Sequence, residues 1–413
     1  MNRINIKISV AILILFDVMI MGSCKGKSDE SNIAVTKSSK ENIEGTSNID
    51  SIDSRLALFN CTIIDGIGSI IEDGVILIAN DLIEQVGSQD NLPIPPGYEL
   101  IDLNGNTVTP GFINTHIHTG YNEENLKNWL KAGVTTIRDL GAASSSVDAI
   151  AFRDENNNRT DIARMLTATP ILAVPGGYGR EYFTSIEDVE ERINNYISRD
   201  VDVIKFSLED NQAGQSWTMA TNEEYAAIVN AAHAGGKKAA VHLTHARFLE
   251  LAVEIGVDQI GHMVMDEMSE EICKTIVEKG IYWIPTLELW EGVSINYGVN
   301  YSDIAVKNLT MFYEAGGKIA LGTDFNGFNF QFDQGFPITE VKLMKEAGMS
   351  NMDIILAGTR NAAEVCDMLD SLGTIENNKI ADLLIVKGYP LEQIEDLQNT
   401  YMVIHNGEII PIE

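Results

Sequence analysis

Positive charge is scarce in this chain. Lys and Arg number 29 against 60 Asp and Glu, a formal net charge of −31 at pH 7. A surface of that sign repels a phosphate backbone, which excludes a nucleic acid as partner. Cysteine is scarcer, with four in 413 residues. Cys61, Cys273 and Cys366 are odd in number and lack CxxC spacing, so a disulfide framework is excluded and three buried thiols are expected. The longest apolar run, ISVAILILFDVMIMGS, is short for a full membrane span. Histidine numbers only seven, yet two stand one residue apart in PGFINTHIHTG, residues 110–120.

That apolar run follows Arg3 and Lys7 and leads into Met21-Gly22-Ser23-Cys24. A basic start, an apolar middle and small residues before a cleavage point predict a secretory signal over residues 1–23. The tetrad resembles a bacterial lipobox, with Asp17 and Met21 as departures. The resemblance implies a lipid on Cys24, a membrane partner and an extracytoplasmic, lipid-anchored location. The alternative is an uncleaved anchor. Residues 24–54 are rich in Ser, Asn and Glu and read as a disordered tether.

With 45% hydrophobic residues the remainder can bury a large core. Residues 55–109 alternate in short runs such as LALFNCTIID and GVILIAND, the pattern of strands. The same style returns over 370–413, with Asn406-Gly407 as a hairpin turn. The two ends are expected to form one small β-sandwich domain. Between them, residues 110–369 alternate strand and helix. Strands are expected at GFINTHI, GVTTIRDL, RMLTATPILA, DVIKFS, KAAVHL, VDQIGH, IYWIPT and KIALGT. Helices such as TNEEYAAIVNAAHAGG and SEEICKTIVEKG separate them, several stopping at Gly. Eight such units predict an α/β fold, a (β/α)8 TIM-like barrel.

Barrel chemistry gathers at the C-terminal ends of the strands. The first strand ends in His116 and His118, whose i, i+2 spacing points both rings to one face. Lys205 lies in the fourth, His242 ends the fifth, His262 the sixth, and Asp324 the eighth. Each has a plainer alternative. The paired histidines could be half-buried strand residues, Lys205 a structural ion pair, His242 and His262 satisfied core histidines, and Asp324 a helix N-cap. A metal site explains all six at once.

In order, PGFINTHIH, GVTTIRDLG, DVIKF, AVHLTHA, VDQIGHM, IPTLELW and GTD, then GTRNAAEV and GTIENNKIADLLIVKGYPLEQI, resemble the amidohydrolase superfamily. The likeness is to its binuclear imidazolonepropionase-like and prolidase-like branch, over about residues 56–413. It implies two divalent metal ions, zinc before manganese or iron. His116, His118 and Asp324 would hold the first, and His242 and His262 the second. Lys205, carbamylated by CO2, would bridge them. A metal-bridging hydroxide would attack an amide, peptide or cyclic amide C–N bond of a small-molecule substrate, with Asp324 as general acid/base. A lactone or phosphoester could meet the same hydroxide. A rival of another class is a solute-binding lipoprotein on a decayed barrel, which loss of any metal position would favour; all six positions are present.

Other residues rank below these. His245, three after His242, competes for the fifth-strand ligand position. Tyr178 and Arg180 in PGGYGR follow the third strand and could meet substrate. Tyr178 stands where many relatives carry histidine. Trp217 lines or caps the pocket. His233 suits the C-terminal end of its helix. His405 is expected on the surface of a strand. Asn377-Asn378 replaces the glycine usual in relatives, and Asn tolerates the left-handed turn.

Overall fold

The computed structural model describes residues 54–119, 122–141, 148–212 and 214–412. The predicted signal, Cys24 and the tether as far as residue 53 lie outside them. The eight expected barrel strands are all present. They are β1 (Phe112–Ile117), β2 (Val134–Asp139), β3 (Arg164–Thr167), β4 (Val203–Ser207), β5 (Lys238–His242), β6 (Gln259–Gly261), β7 (Tyr282–Ile284) and β8 (Lys318–Ile319). β1 pairs β2 and β2 pairs β3, and β4 to β8 pair in sequence, all in parallel. Parallel bridges Ala168↔Val203 and Ile117↔Phe325 join the two arcs into a ring. β8 is short because the chain beyond Ile319 keeps the ladder without a regular pleat. Thr115 N donates to Leu321 O, and Asp324 N to His116 O at 2.8 Å. Strands buried on both faces read as near-continuous apolar runs, which is why they were legible.

The helices with local caps also fall where expected. Thr221 and Glu224 form a capping box at the start of Asn222–Ala234. Glu270–Lys279 starts at Ser269 and stops at Gly280, whose φ of +68° needs the missing Cβ. Leu287–Tyr297 was not foreseen, and the physical reason is its start. Thr286 precedes it at φ +48° with no side-chain cap. Instead the Glu288 N–H donates to Glu340 Oε2 at 2.8 Å, from helix Ile338–Glu346, 52 residues on. A cap supplied by tertiary packing leaves no local sequence signature.

That cap carries a pH dependence. Burial pushes the Glu340 carboxyl up to about 8, and neighbouring Glu291 and Asp333 add to it. Burial, with Asp333 beside it, pushes Glu288 up to about 9. Both are neutral at pH 7 in the folded chain and ionised in the unfolded one, where a glutamate titrates near ~4.3. Their contribution to stability is therefore lost progressively as pH rises from about 5 toward 8–9. Glu340→Gln keeps an acceptor and removes one proton demand. Its melting temperature relative to the native chain should rise steadily between pH 6 and 9. An offset that does not change with pH contradicts this.

The two chain ends build one sheet around the residues 107–110 and 383–386. Thr107–Pro110 pairs antiparallel with Leu383–Val386, in register Val108↔Ile385. Leu58, Ile63, Ile76, Val108, Leu383 and Ile404 share its separate core. Asn378 adopts φ +68° and Asn406 φ +49°, so both expected turns form. His405 departs from expectation. It is fully buried, with Nδ1 3.1 Å from Asp382, and Asp382 also accepts from Arg164 of β3 at 2.7 Å. This network ties the barrel to the sandwich.

The membrane partner and the extracytoplasmic, lipid-anchored location are corrected. The described cysteines, Cys61, Cys273 and Cys366, are buried and reduced, so none offers a thiol for a lipid. No helix among the described residues is long and apolar enough to cross a membrane. The expectation had rested on Cys24 and its neighbours alone.

Candidate metal centre

β1 turns Ile117 into the apolar core and sends His116 and His118 to the opposite side, where His118 lines the barrel mouth and His116 is buried beneath it. Their Nε2 atoms lie 3.1 and 3.0 Å from Asp324 Oδ1. His118 Nδ1 stands 2.9 Å from the Gly141 carbonyl oxygen. A carbonyl only accepts, so Nδ1 carries a proton and Nε2 is the ring atom facing Asp324; against the effect of burial, Asp324 and Asp139 raise the pKa of this ring. The His262 ring lies 4.7 Å from the His116 ring and 4.7 Å from the His242 ring, centroid to centroid. A Cβ on Gly261 would come within 3.0 Å of His116 Cε1 and 3.1 Å of Lys205 Nζ. The six expected positions therefore surround one space at the C-terminal mouth.

The backbone is held in costly conformations there. His262 and Asp324 adopt φ +71° and +60°, a region non-glycine residues seldom enter. Gly327 is needed where it stands, because a Cβ would lie 1.9 Å from Asp324 Oδ2.

The electrostatics follow from burial and grouping. Burial alone would raise the Asp324 carboxyl, but the His262, His118 and His116 rings hold it well below the usual carboxylate range. Burial drives His116 and His262 well below the ordinary imidazole value, so both stay neutral and can donate lone pairs. Lys205 is 1% exposed, and burial brings its ammonium down to about 7 against the opposing pull of Asp324.

Seven buried side-chain polar atoms among the described residues lack a hydrogen-bond partner, and five of them are here. They are His116 Nδ1 and Nε2, His242 Nε2, Lys205 Nζ and Asp324 Oδ1. Buried polar atoms without partners are rare because each carries an uncompensated desolvation cost. One nitrogen from each of His116 and His118 and one oxygen from Asp324 all lie within 4.8 Å of one another. Two imidazoles plus a carboxylate, at that spacing, fit a divalent ion. The barrel mouth is a divalent-metal-dependent active site.

Glu209 was missed by the sequence reading. It follows β4 in FSLED, is 1% exposed, and accepts from Thr244 Oγ1 at 2.5 Å. His242 Nε2 lies 3.7 Å and His245 Nδ1 3.6 Å from its oxygens. Burial opposes its charge, but the His242 and His245 rings beside it and the Thr244 hydroxyl hold it well below the usual range. Glu209 thus lies beside the His242 ring. The only available signal was an acidic residue just past a barrel strand. His245 faces Glu209 and Thr244 and lies apart from the His116–His118–Asp324 group.

Tyr178 stacks on the His242 ring, centroids 4.3 Å apart and 15° from parallel. Trp217 meets Tyr178 edge-on at 5.0 Å. Arg180 is exposed at the outer rim of the same cavity. His233 pairs with Asp258 at 2.9 Å, away from the mouth.

Comparison with known proteins agrees with this geometry. The chain is 22% identical over 366 residues to an imidazolonepropionase of Haloarcula marismortui, covering 76% of this chain and 84% of that protein. An imidazolonepropionase of Alkaliphilus metalliredigens is 25% identical over 404 residues, covering 83% and 91%. The crystal structure of a Xaa-Pro dipeptidase with methionine bound in its active site superposes with a TM-score of 0.75 at 26% identity. That match covers 86% of this chain and 99% of the dipeptidase. The model of the amidohydrolase family matches residues 107–410, the whole barrel and the strands that return to the sandwich, and the chain belongs to that family.

Proposed function

We propose that the chain hydrolyses the C–N bond of a small amide, peptide or cyclic amide at this metal centre. The observation that carries the reading is the convergence of partnerless, buried imidazole, amine and carboxylate atoms at the C-terminal mouth of a closed barrel. Similarity to imidazolonepropionases and to a Xaa-Pro dipeptidase supports it. His116, His118 and Asp324 would hold one ion, and His242 and His262 a second, with zinc favoured by the nitrogen-rich donor set and manganese or iron also accommodated.

Lys205 would join the two as its carbamate. Its amine is buried without a partner and loses its proton near neutrality, so a nucleophilic lone pair is available to CO2. The new N–C bond releases one amine proton and leaves an anionic oxygen pair in place of a cation. Divalent ions bound here would polarise the substrate carbonyl and acidify water.

The remaining work falls to the chain. Asp324 Oδ1 sits between the two β1 imidazoles and stays ionised, so it can take a proton from the attacking water and return it to the leaving nitrogen. Tyr178, braced between His242 and Trp217, keeps its hydroxyl proton because burial and the nearby Asp324 and Glu209 raise its pKa. Its hydroxyl would then donate to developing negative charge.

The test is a screen of dipeptides, N-acyl amino acids, cyclic amides, lactones and phosphoesters with protein supplied zinc or manganese and bicarbonate. Amide cleavage that a chelator abolishes and added metal restores is expected. Turnover confined to lactones or phosphoesters, or unaffected by chelation, contradicts the reading.

A further inference from the structure

We propose that the cavity selects an amide with a ring-sized, uncharged apolar group on one side of the scissile bond and a carboxylate on the other. This rests on the hydrolase reading above and narrows its substrate class. The space above the metal centre has two lobes, one with no formally charged side chain beyond those of the metal centre and one that carries Arg180. Both open onto His118, Tyr178, Trp217 and Gly327.

The first lobe is walled by Leu289, Trp290, Val293 and Tyr297 of helix Leu287–Tyr297, with Tyr301 and Phe328 opposite. Apart from the residues of the metal centre, no formally charged side chain lines it among the described residues. The Trp290 indole N–H is already spent on the Met263 carbonyl at 2.7 Å, so the ring offers carbon to the lobe. Tyr301 lies 5.9 Å from Trp290, and Phe328 5.9 Å from Tyr297, which closes the sides with rings. Phe328 is braced from behind. Its neighbour Phe330 stacks on Phe332 at 4.2 Å and rests on Gly292, where a Cβ would come within 2.2 Å of the ring. The wall is thus a packed surface rather than a loose loop. The cavity measures about 130 Å³. An apolar cavity of about 150 Å³ holds one benzene, so a cavity of this size admits a single ring. A charged group entering it would be desolvated without a partner.

The second lobe carries the polar side chains of Arg180, Tyr182, Gln215 and Asn326 in its lining. Arg180 is its only formally charged side chain among the described residues. In a chain carrying −31 overall, it forms no ion pair among them. Its backbone is fixed, with the Arg180 N–H donating to Ile171 O at 2.8 Å. An unpaired guanidinium on a held loop, beside the metal centre, is suited to a carboxylate.

The experiment compares kcat/KM for five compounds on the metal-loaded full chain. They are N-benzoylglycine, its mirror succinanilic acid, N-acetylglycine, N-benzoylglycinamide and N-(4-guanidinobenzoyl)glycine. One of the first two should exceed the acetyl and guanidino compounds by about tenfold or more. Loss of the carboxylate in the glycinamide should cost about tenfold, chiefly in KM. Arg180→Gln should erase most of that difference while leaving the ranking by apolar group. Val293→Asp should shift preference toward the guanidino compound. Hydrolysis with no preference for the ring, or with the carboxamide equal to the carboxylate, overturns the proposal and leaves the hydrolase reading standing. Absence of hydrolysis of any amide, in this set or in the wider screen, overturns both.

Discussion

Lys205→Met should make the metal-free protein more stable and the metal-supplied protein inactive. Lys205 Nζ is buried among β-strand neighbours with no hydrogen-bond partner. Methionine has a similar length and no polar atom, so the exchange removes a desolvation cost of about 1–3 kcal/mol at little expense in packing. The pH dependence fixes the sign. The folded lysine titrates at about 7, well below the ~10.4 of an unfolded one. Between those values only the unfolded chain holds the proton, so the native protein gains stability as pH rises from about 7 toward 10. The advantage of the methionine variant should be largest below pH 7 and should shrink above it. Melting curves of metal-free protein at pH 6 and pH 9.5 measure this. A variant less stable than the native chain at pH 6 contradicts the picture of an uncompensated buried amine. The same variant should lose hydrolysis altogether, since no carbamate can form.

Asp324→Asn should lower kcat by about a hundred- to ten-thousandfold, the range expected for losing a general acid–base group. The amide has the shape of the carboxylate but neither its charge nor its capacity to carry the proton. The stability effect should be small beside the catalytic one, because Asp324 N still donates to His116 O. Circular dichroism and steady-state kinetics together separate the two. Near-native turnover in the variant removes Asp324 from proton transfer.

The barrel and the six positions were legible because their determinants are local. A strand buried on both faces is an apolar run, and a polar residue at its end stands out against that run. His116, His118, Lys205, His242, His262 and Asp324 were all visible in this way. What stayed hidden depends on residues distant in sequence. Glu209 is one more acid in a chain with 60 Asp and Glu, and only folding brings it against His242 and Thr244. Helix Leu287–Tyr297 lacks a local cap because Glu340 supplies one. His405 looked like an exposed strand residue, since nothing near it in sequence announces Arg164 or the buried Asp382 that bonds both. The membrane reading failed for a related reason. It was drawn from residues 1–54 in isolation, and nothing in the described fold extends it.

If these six side chains hold metal as one unit, the metal content of the protein will show it. Protein purified without chelator and supplied with zinc and bicarbonate should carry about two ions per chain, the stoichiometry of a bridged pair. Lys205→Met should lose most of one or both. Elemental analysis showing no bound metal in the native chain after zinc or manganese is supplied, or the same content in the variant, would contradict the account.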